Sequence, residues 1–422
     1  MSAAVELVRR NWQMGHPPMV ATKTEKPLVV GILGAADIAP QAFIIPIQTH
    51  PDVVLQTVAA RSEDKARAYA KKHGIPDVAK SYQEILDDAK IDAVYIPLPN
   101  GLHYEWARRA LKAGKHVLVE KPSVNNTIEA EQLFLSPNAD PSSPQPVLLE
   151  ATHYVFHPAW TAFMSHVTPS EVVAADSRLC VPSFLFGADD IRFKYDLGGG
   201  ALMDLGAYTA SVLVRVFGAV AEACESCDTV SVASDSHCDV SYRARFRFPG
   251  GGIGSMEGDL KGTITKLTPR LHVTHRAVAI SAAEAGGNVT VKEGEEILRT
   301  RKVSFNNYML PTSFHSIIVE DAFEIRAKVP GSTLPGPRKT WKTSKTVKAY
   351  TWREGAIPGT ENQPGETYWS TYRHQLEQFV NQVRGREAAQ WVTAQDSVNT
   401  MKMIDMAYGA AKMPLRPTSE YK

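Results

Sequence analysis

Two short stretches hold side chains that can move a proton or steady a charge. The first is Gly198-Gly199-Gly200-Ala201-Leu202-Met203-Asp204-Leu205-Gly206-Ala207-Tyr208. Three glycines hold a tight turn at positions closed to residues with a Cβ. A turn that opens a helix also presents backbone N–H groups to a ligand. Asp204 and Tyr208 stand four apart, so a helix puts a carboxylate and a phenol on one face. Tyr208 is a candidate proton donor if a cation lowers its pKa from about 10. The second stretch, Glu120-Lys121-Pro122, supplies that cation. Lys121 can hydrogen-bond a substrate hydroxyl or carbonyl, and its charge would depress the pKa of a nearby tyrosine. The plainer alternatives are a glycine turn before a core helix and a strand-ending lysine in water.

These residues need a frame. Leu28–Leu33 is an apolar run suited to a buried parallel strand. Further strands are expected at Val53–Ala60, Ala93–Ile96, His116–Val119 and Val147–Leu149, with helices at Glu63–His73 and His103–Ala113 between them. Alternation of this kind argues a doubly wound parallel sheet. Ligands bind such sheets outside the carboxyl ends of the strands, which is where Lys121 stands. Gly34-Ala35-Ala36-Asp37-Ile38-Ala39 follows the first strand as a weak dinucleotide fingerprint, with alanine at two of the three glycine positions. The end of the second strand lacks the acid that would meet an NAD ribose. It has Arg61 and Ser62, which suit a 2′-phosphate, so NADP is favoured over NAD. Pro97, Asn100 and His103 follow the third strand. Asn100 can cap the next helix or touch the cofactor.

His153, Tyr154 and His157 follow the fifth strand. The two histidines are four apart, which is metal-ligand spacing on a helix. They lack the glutamate of an H-E-x-x-H motif and have Pro158 next door, so no metal is expected. They are read as lining a polar substrate pocket or as satisfied core histidines. Arg192 is a further candidate substrate contact. Beyond residue 150 the pattern turns antiparallel. Val240–Phe248 alternates apolar and polar residues, and more strands are expected at 226–235, 253–260, 271–280 and 288–303. Residues 135–146 read as a proline-rich surface loop, 329–366 resist assignment, and helices are expected at 372–383 and 394–412.

The 422 residues suffice for two domains, and a net charge of +1 gives no reason to expect nucleic acid or a membrane surface as partner. Four cysteines are too few to staple such a chain, so they read as free thiols in a reducing, cytoplasmic setting. Residues 1–26 read as a flexible tail, with a mitochondrial presequence as the minor alternative.

Taken in order, Gly31–Ala39, Ala60-Arg61-Ser62, Tyr95–Asn100, Ala113–Pro122 and Gly198–Tyr208 resemble the glucose–fructose oxidoreductase / inositol dehydrogenase (Gfo/Idh/MocA) family. The resemblance is closest to its branch of dimeric dihydrodiol dehydrogenases and NADP-dependent D-xylose dehydrogenases, and it spans roughly 27–210. It implies an NADP-binding Rossmann domain at 27–150 and a substrate and dimerisation α/β domain with an open, mostly antiparallel sheet at 151–370. Helices at 371–422 would pack back near the domain junction. It also implies cofactor contacts at Gly34, Ala35, Ala36, Asp37, Ile38, Arg61, Ser62, Pro97, Asn100, His103, Glu120 and Lys121. Catalysis would rest on Lys121, Asp204 and Tyr208, with Tyr208 as acid/base. Candidate substrate contacts are His153, Tyr154, His157 and Arg192. The implied function is hydride transfer between nicotinamide and a sugar, cyclic diol or small carbonyl compound by a homodimer. The alternatives are a ketone or imine reductase of secondary metabolism and a non-catalytic NADP-binding regulator. Val155 stands where the branch has an arginine, and 261–366 is longer than the family's minimum.

Overall fold

The computed structural model describes residues 3–136, 145–287, 289–328, 338–355, 359–360 and 362–421. Six short strands form the first sheet: β1 (Leu28–Leu33), β2 (Val53–Ala59), β3 (Asp77–Val78), β4 (Ala93–Ile96), β5 (His116–Val119) and β6 (Leu148–Glu150). Their order is β3-β2-β1-β4-β5-β6, and every neighbouring pair is parallel. The strands are short and apolar because helices cover both faces, and β4 is buried along its whole length. The order reverses between β1 and β4. A crevice therefore opens at their carboxyl ends, where the chain leaves the sheet in opposite directions.

The second sheet holds β7 (Val172–Pro182), β8 (Ala223–Val232), β9 (Asp235–Arg247), β10 (Ile253–Gly262), β11 (Arg270–His275), β12 (Val278–Ile280), β13 (Glu295–Asn306), β14 (Ser316–Ala327) and β15 (Lys339–Val347). The order is β15-β14-β13-β11-β7-β10-β9-β8, with β12 on β13. Only β7 and β10 run parallel; the remaining pairs are antiparallel. The inner face packs β7 and β10 on the helix Gly206–Phe217, which is apolar nearly all round and almost wholly buried. The helix Ala394–Ala410 spans the two halves, touching both Gly206–Phe217 and the first-sheet helix Thr127–Phe134. No single helix among the described residues is long and apolar enough to cross a membrane.

Three expectations need correction. Residues 1–26 are not a loose tail among the residues described. Ala3–Gly15 is a helix, and Arg10 inserts its guanidinium beside the carbonyls of Thr312 and Ser313 at 2.6 and 3.0 Å, stacked 3.7 Å over the Tyr350 ring. Lys23 then caps the carbonyls of Ile47 and His50. All these acceptors are backbone atoms or a ring face, so no complementary charge in the sequence announces them. Second, Asp204 and Tyr208 do not lie on one continuous helix. The helical turn Ala201–Asp204 and the helix Gly206–Phe217 are separated at Leu205, and the stretch Tyr195–Asp204 lies at 46° to that helix. The Asp204 carbonyl accepts from Lys121 Nζ at 3.0 Å, while the Tyr208 amide donates to the Leu205 carbonyl. The lysine replaces one rung of the helical ladder. Third, β7, β14 and β15 are strands the sequence pattern does not single out, and the run at 271–280 divides into β11 and β12. Most of the expected loop at 135–146 lies outside the described residues.

Candidate active site

The site forms where β5 ends and the glycine turn begins. β5 delivers Glu120, and the next residue, Lys121, precedes a cis bond to Pro122. Lys121 Nζ donates to Asp204 Oδ1 at 2.7 Å as well as to the Asp204 carbonyl, which occupies two of its three donors. The second carboxylate oxygen of Asp204 accepts from Arg192 Nε at 3.0 Å, and Arg192 also holds Asp190 at 3.1 Å. Burial alone would raise the Asp204 pKa, but Lys121 and Arg192 overcome it and hold the carboxyl at about 2.

The glycine turn makes this convergence possible. Gly200 has φ +126°, in a region L side chains avoid. A Cβ there would also collide with the Arg416 guanidinium and the Asp239 carboxylate.

Tyr208 lies beneath Lys121. Its ring centroid is 4.4 Å from Lys121 Nζ, its hydroxyl is 2.9 Å from His153 Nε2, and Tyr372 is in hydrogen-bond reach. The expected depression of the Tyr208 pKa by Lys121 is not what the structure gives. Burial pushes the phenol well above its usual 10, and Tyr372, Glu120 and Asp204 add to the effect. Lys121 faces the ring rather than the hydroxyl, and Asp204 balances its charge. The phenol is therefore protonated at neutral pH. Burial likewise pulls His153 down to about 3, so its ring is neutral. His153 Nδ1 is buried with no hydrogen-bond partner. A bare acceptor there costs less than an orphaned N–H, which assigns the proton to Nε2, donating to the Tyr208 oxygen. The Tyr208 hydrogen is then directed away from His153, toward Tyr372.

The remaining expected residues fall into two groups. Gly34, Ala35, Ala36, Asp37 and Ile38 form the turn after β1, with Asp37 and Ile38 exposed at the crevice. Gly34 has φ +118°, and a Cβ on it would press to 3.0 Å from Leu98, beside the Pro97 carbonyl. Arg61 and Ser62 lie exposed after β2, where Ser62 caps the helix Glu63–His73 through the Lys65 amide. A turn opened by Gly34 at the switch point, with the exposed Arg61 one strand away, fits a dinucleotide carrying a 2′-phosphate.

The second group is turned inward. Asn100 donates to the Gly198 carbonyl at 2.9 Å, which ties the two halves together rather than capping a helix. His103 sits between the Pro122 and Leu98 carbonyls, both at 2.7 Å, and is fully buried with a pKa pulled down to about 4 by burial. It supports the Lys121 turn and presents no ring nitrogen to a cofactor. The Glu120 carboxylate accepts from the buried Tyr95 hydroxyl at 2.7 Å, also away from the crevice. Tyr154 spends its hydroxyl on Ser211 at 2.9 Å within the core. His157 caps the helix Pro158–Met164 and packs against His315 and His374, so it does not share a pocket wall with His153. The two histidines occupy a short 3-10 segment and its end, not one α-helical face. Val155 is core. Tyr372 was hidden in the sequence because it belongs to a helix whose apolar spacing explains itself as packing. Tyr372 packs against His153 with ring centroids 4.1 Å apart.

A model for an oxidoreductase family, GFO_IDH_MocA, with an NAD-binding Rossmann fold, matches residues 28–136. A GFO/IDH/MocA C-terminal domain model matches 171–275. A dTDP-3,4-didehydro-2,6-dideoxy-alpha-D-glucose 3-reductase from Streptomyces violaceoruber is 39% identical over 210 residues, covering 47% of this chain and 59% of the relative. The D-xylose 1-dehydrogenase (NADP(+)) 2 of Haloferax volcanii is 41% identical over 193 residues, covering 45% and 57%. The matches thus span less than two thirds of the length of these curated relatives. A 3-ketoreductase from Actinomadura kijaniata, solved with NADP and TDP-benzene, shares the fold with a TM-score of 0.64 at 21% identity, over 91% of this chain and 98% of that one.

Proposed function

This chain belongs to the GFO/IDH/MocA oxidoreductase family, and we propose that it is an NADP-dependent enzyme acting on a sugar-like hydroxyl or ketone. The observation that carries the reading is the Lys121–Asp204 contact at 2.7 Å set over the Tyr208 ring, with the Tyr208 hydroxyl on His153. The presence of both Lys121 and Tyr208 supports an enzyme over a non-catalytic regulator. The turn Gly34–Ile38 would hold the pyrophosphate and Arg61 the 2′-phosphate. The bound cofactor supplies or accepts the hydride.

In the reductive direction Tyr208 gives its proton to the substrate's carbonyl oxygen as that carbon becomes a hydroxyl-bearing one. The His153 Nε2–H, 2.9 Å from the Tyr208 oxygen, stabilises the phenolate left behind. In the oxidative direction the phenolate takes the hydroxyl proton. Asp204 holds Lys121 in place, and the third Lys121 N–H is available to the substrate oxygen. Arg192, partly exposed beside Asp204, is the candidate contact for a second polar group on the substrate.

Because the resting site is the proton-donor form, ketone reduction of the kind named for the Streptomyces relative is tested beside aldose oxidation of the kind named for the Haloferax relative. The test is fluorescence titration with NADPH and NADH. Aldoses and cyclic diols are then assayed with NADP⁺, and sugar ketones with NADPH. Tyr208→Phe should lower turnover by about 10²–10⁴-fold with NADPH affinity unchanged; full turnover in that variant removes Tyr208 from the chemistry. We further propose a homodimer through the outer face of the second sheet, where Arg243, Arg245 and Arg247 pair with Glu257, Glu225 and Glu222. Sedimentation of Arg245→Glu against the parent checks it.

A further inference from the structure

The turn that aims Asp204 and Tyr208 is gripped by residues far from the reaction. Asp239 on β9 and Arg416 form an ion pair at 2.9 Å, with both side chains wholly removed from solvent. Asp239 Oδ1 also accepts from the Tyr408 hydroxyl at 2.8 Å, and its Oδ2 accepts from the Leu202 amide at 2.7 Å. Arg416 Nε donates to the Gly199 carbonyl at 2.7 Å. Its guanidinium also lies 4.4 Å from the Tyr408 ring centroid and 4.9 Å from that of Tyr195. One ion pair therefore holds the glycine turn by a carbonyl before the helical turn and by an amide within it.

The backbone around Arg416 faces the other half of the site. The Arg416 carbonyl accepts from Asn126 Nδ2 at 3.1 Å, and the Pro417 carbonyl accepts from Asn125 Nδ2 at 2.9 Å. The Ser419 amide donates to Glu129 at 2.6 Å. Asn125 and Asn126 belong to the loop that follows Lys121-Pro122. On the near side, the Leu415 carbonyl accepts from Tyr195 at 2.6 Å. Residues 415–419 thus form a strap. One edge ties the loop that carries Lys121, and the other ties the turn that carries Asp204.

We propose that Arg416 is a positioning residue, one that fixes the Lys121–Asp204 contact by clamping both segments through this strap. A buried ion pair adds little net stability over an apolar pair of the same shape. The effect of this one falls on geometry, through a planar fork that reaches Gly199 and Asp239 together. Lysine, a point charge, cannot reproduce that fork. The catalytic consequence rests on the function proposed above; the positional claim does not.

The test therefore reads position directly. The full-length protein is treated briefly with an amine-acetylating reagent at neutral pH, and labelling is followed peptide by peptide. Lys115 is the internal control. It is buried at the amino end of β5, opposite Lys121, with its ammonium on the Asp88 and Ile91 carbonyls. Arg416→Lys keeps the charge beside Asp239. The double variant Arg416→Met, Asp239→Asn removes both charges, so neither is left stranded. The expected result is several-fold faster acetylation at Lys121 with Lys115 unchanged, larger in the double variant than in Arg416→Lys. A parallel rise at both lysines is general loosening and overturns the proposal, as does no change at Lys121. Any substrate found active adds a second readout, a fall in kcat with KM for NADPH unchanged. Because labelling needs no turnover, failure of the assay panel and failure of the strap are separate results.

Discussion

Replacing Asp204 by Asn removes one negative charge and almost no volume. In the parent its carboxyl is held at about 2 against an ordinary 3.8. At about 1.4 kcal/mol per pKa unit this is worth about 2 kcal/mol of folding stability. The folded-state value is the lower one, so the contribution is complete above 3.8 and is lost as the pH falls from 3.8 towards 2. Asp204→Asn should therefore lower stability at pH 7 by about 2 kcal/mol, measured by urea unfolding. The gap between parent and variant should close between pH 4 and pH 2. The variant also takes from Lys121 its carboxylate partner and leaves Arg192 with Asp190 alone, so turnover should fall while NADPH titration stays near the parent's. Equal unfolding midpoints at pH 7, or a gap that persists at pH 2, would refute the assignment of Asp204 as the anchor of both cations.

Arg61→Ala should weaken NADPH about 10–100-fold, the loss of a charge-assisted phosphate contact, and leave NADH unaffected; equal losses for both would make Arg61 an ordinary surface charge. Burial holds His50, His103, His153, His315 and His374 at about 2, 4, 3, 4 and 3. The unfolded chain takes up these protons first, so stability is full above about pH 6.5 and falls below it, by up to about 1.4 kcal/mol per pH unit for each ring. Unchanged urea midpoints between pH 7.5 and 5.5 would contradict that burial. Arg10→Ala should release the first helix at a cost of about 1–3 kcal/mol, seen as early proteolysis within residues 3–24 while the two sheets stay protected.

The first half of the fold was legible because its signals are local. Buried parallel strands are short apolar runs, and the helices between them carry their own caps. The expected strand Ala93–Ile96 and helix Glu63–His73 coincide with the structure. The second sheet was harder. β15 is an edge strand, KTWKTSKTV, almost entirely exposed, and has no core face to produce alternation. At the site, Lys121, Asp204 and Tyr208 could be named from motif and position, and the structure brings them together. What sequence spacing could not supply was orientation. Helical periodicity put Asp204 and Tyr208 on one face, but the helix is interrupted at Leu205 and the Asp204 carbonyl accepts from Lys121 instead. His103, Tyr154 and Glu120 sit at the expected places along the chain yet point inward, because each found a buried partner that only the tertiary fold provides. Asp239 and Arg416 carry no motif at all.

The strap also has a place in time. Gly199 and Arg416 are 217 positions apart. At about 5–20 residues per second, a ribosome needs roughly 10–40 s to travel from one to the other. Through that interval the first sheet can fold and its cofactor crevice can form, since both are built before residue 151. The turn carrying Asp204 and Tyr208 is meanwhile synthesised but unclamped. A nascent chain should thus acquire dinucleotide affinity well before it acquires an ordered proton donor. Binding would come first and competence for chemistry only after residues 415–419 had clamped the turn.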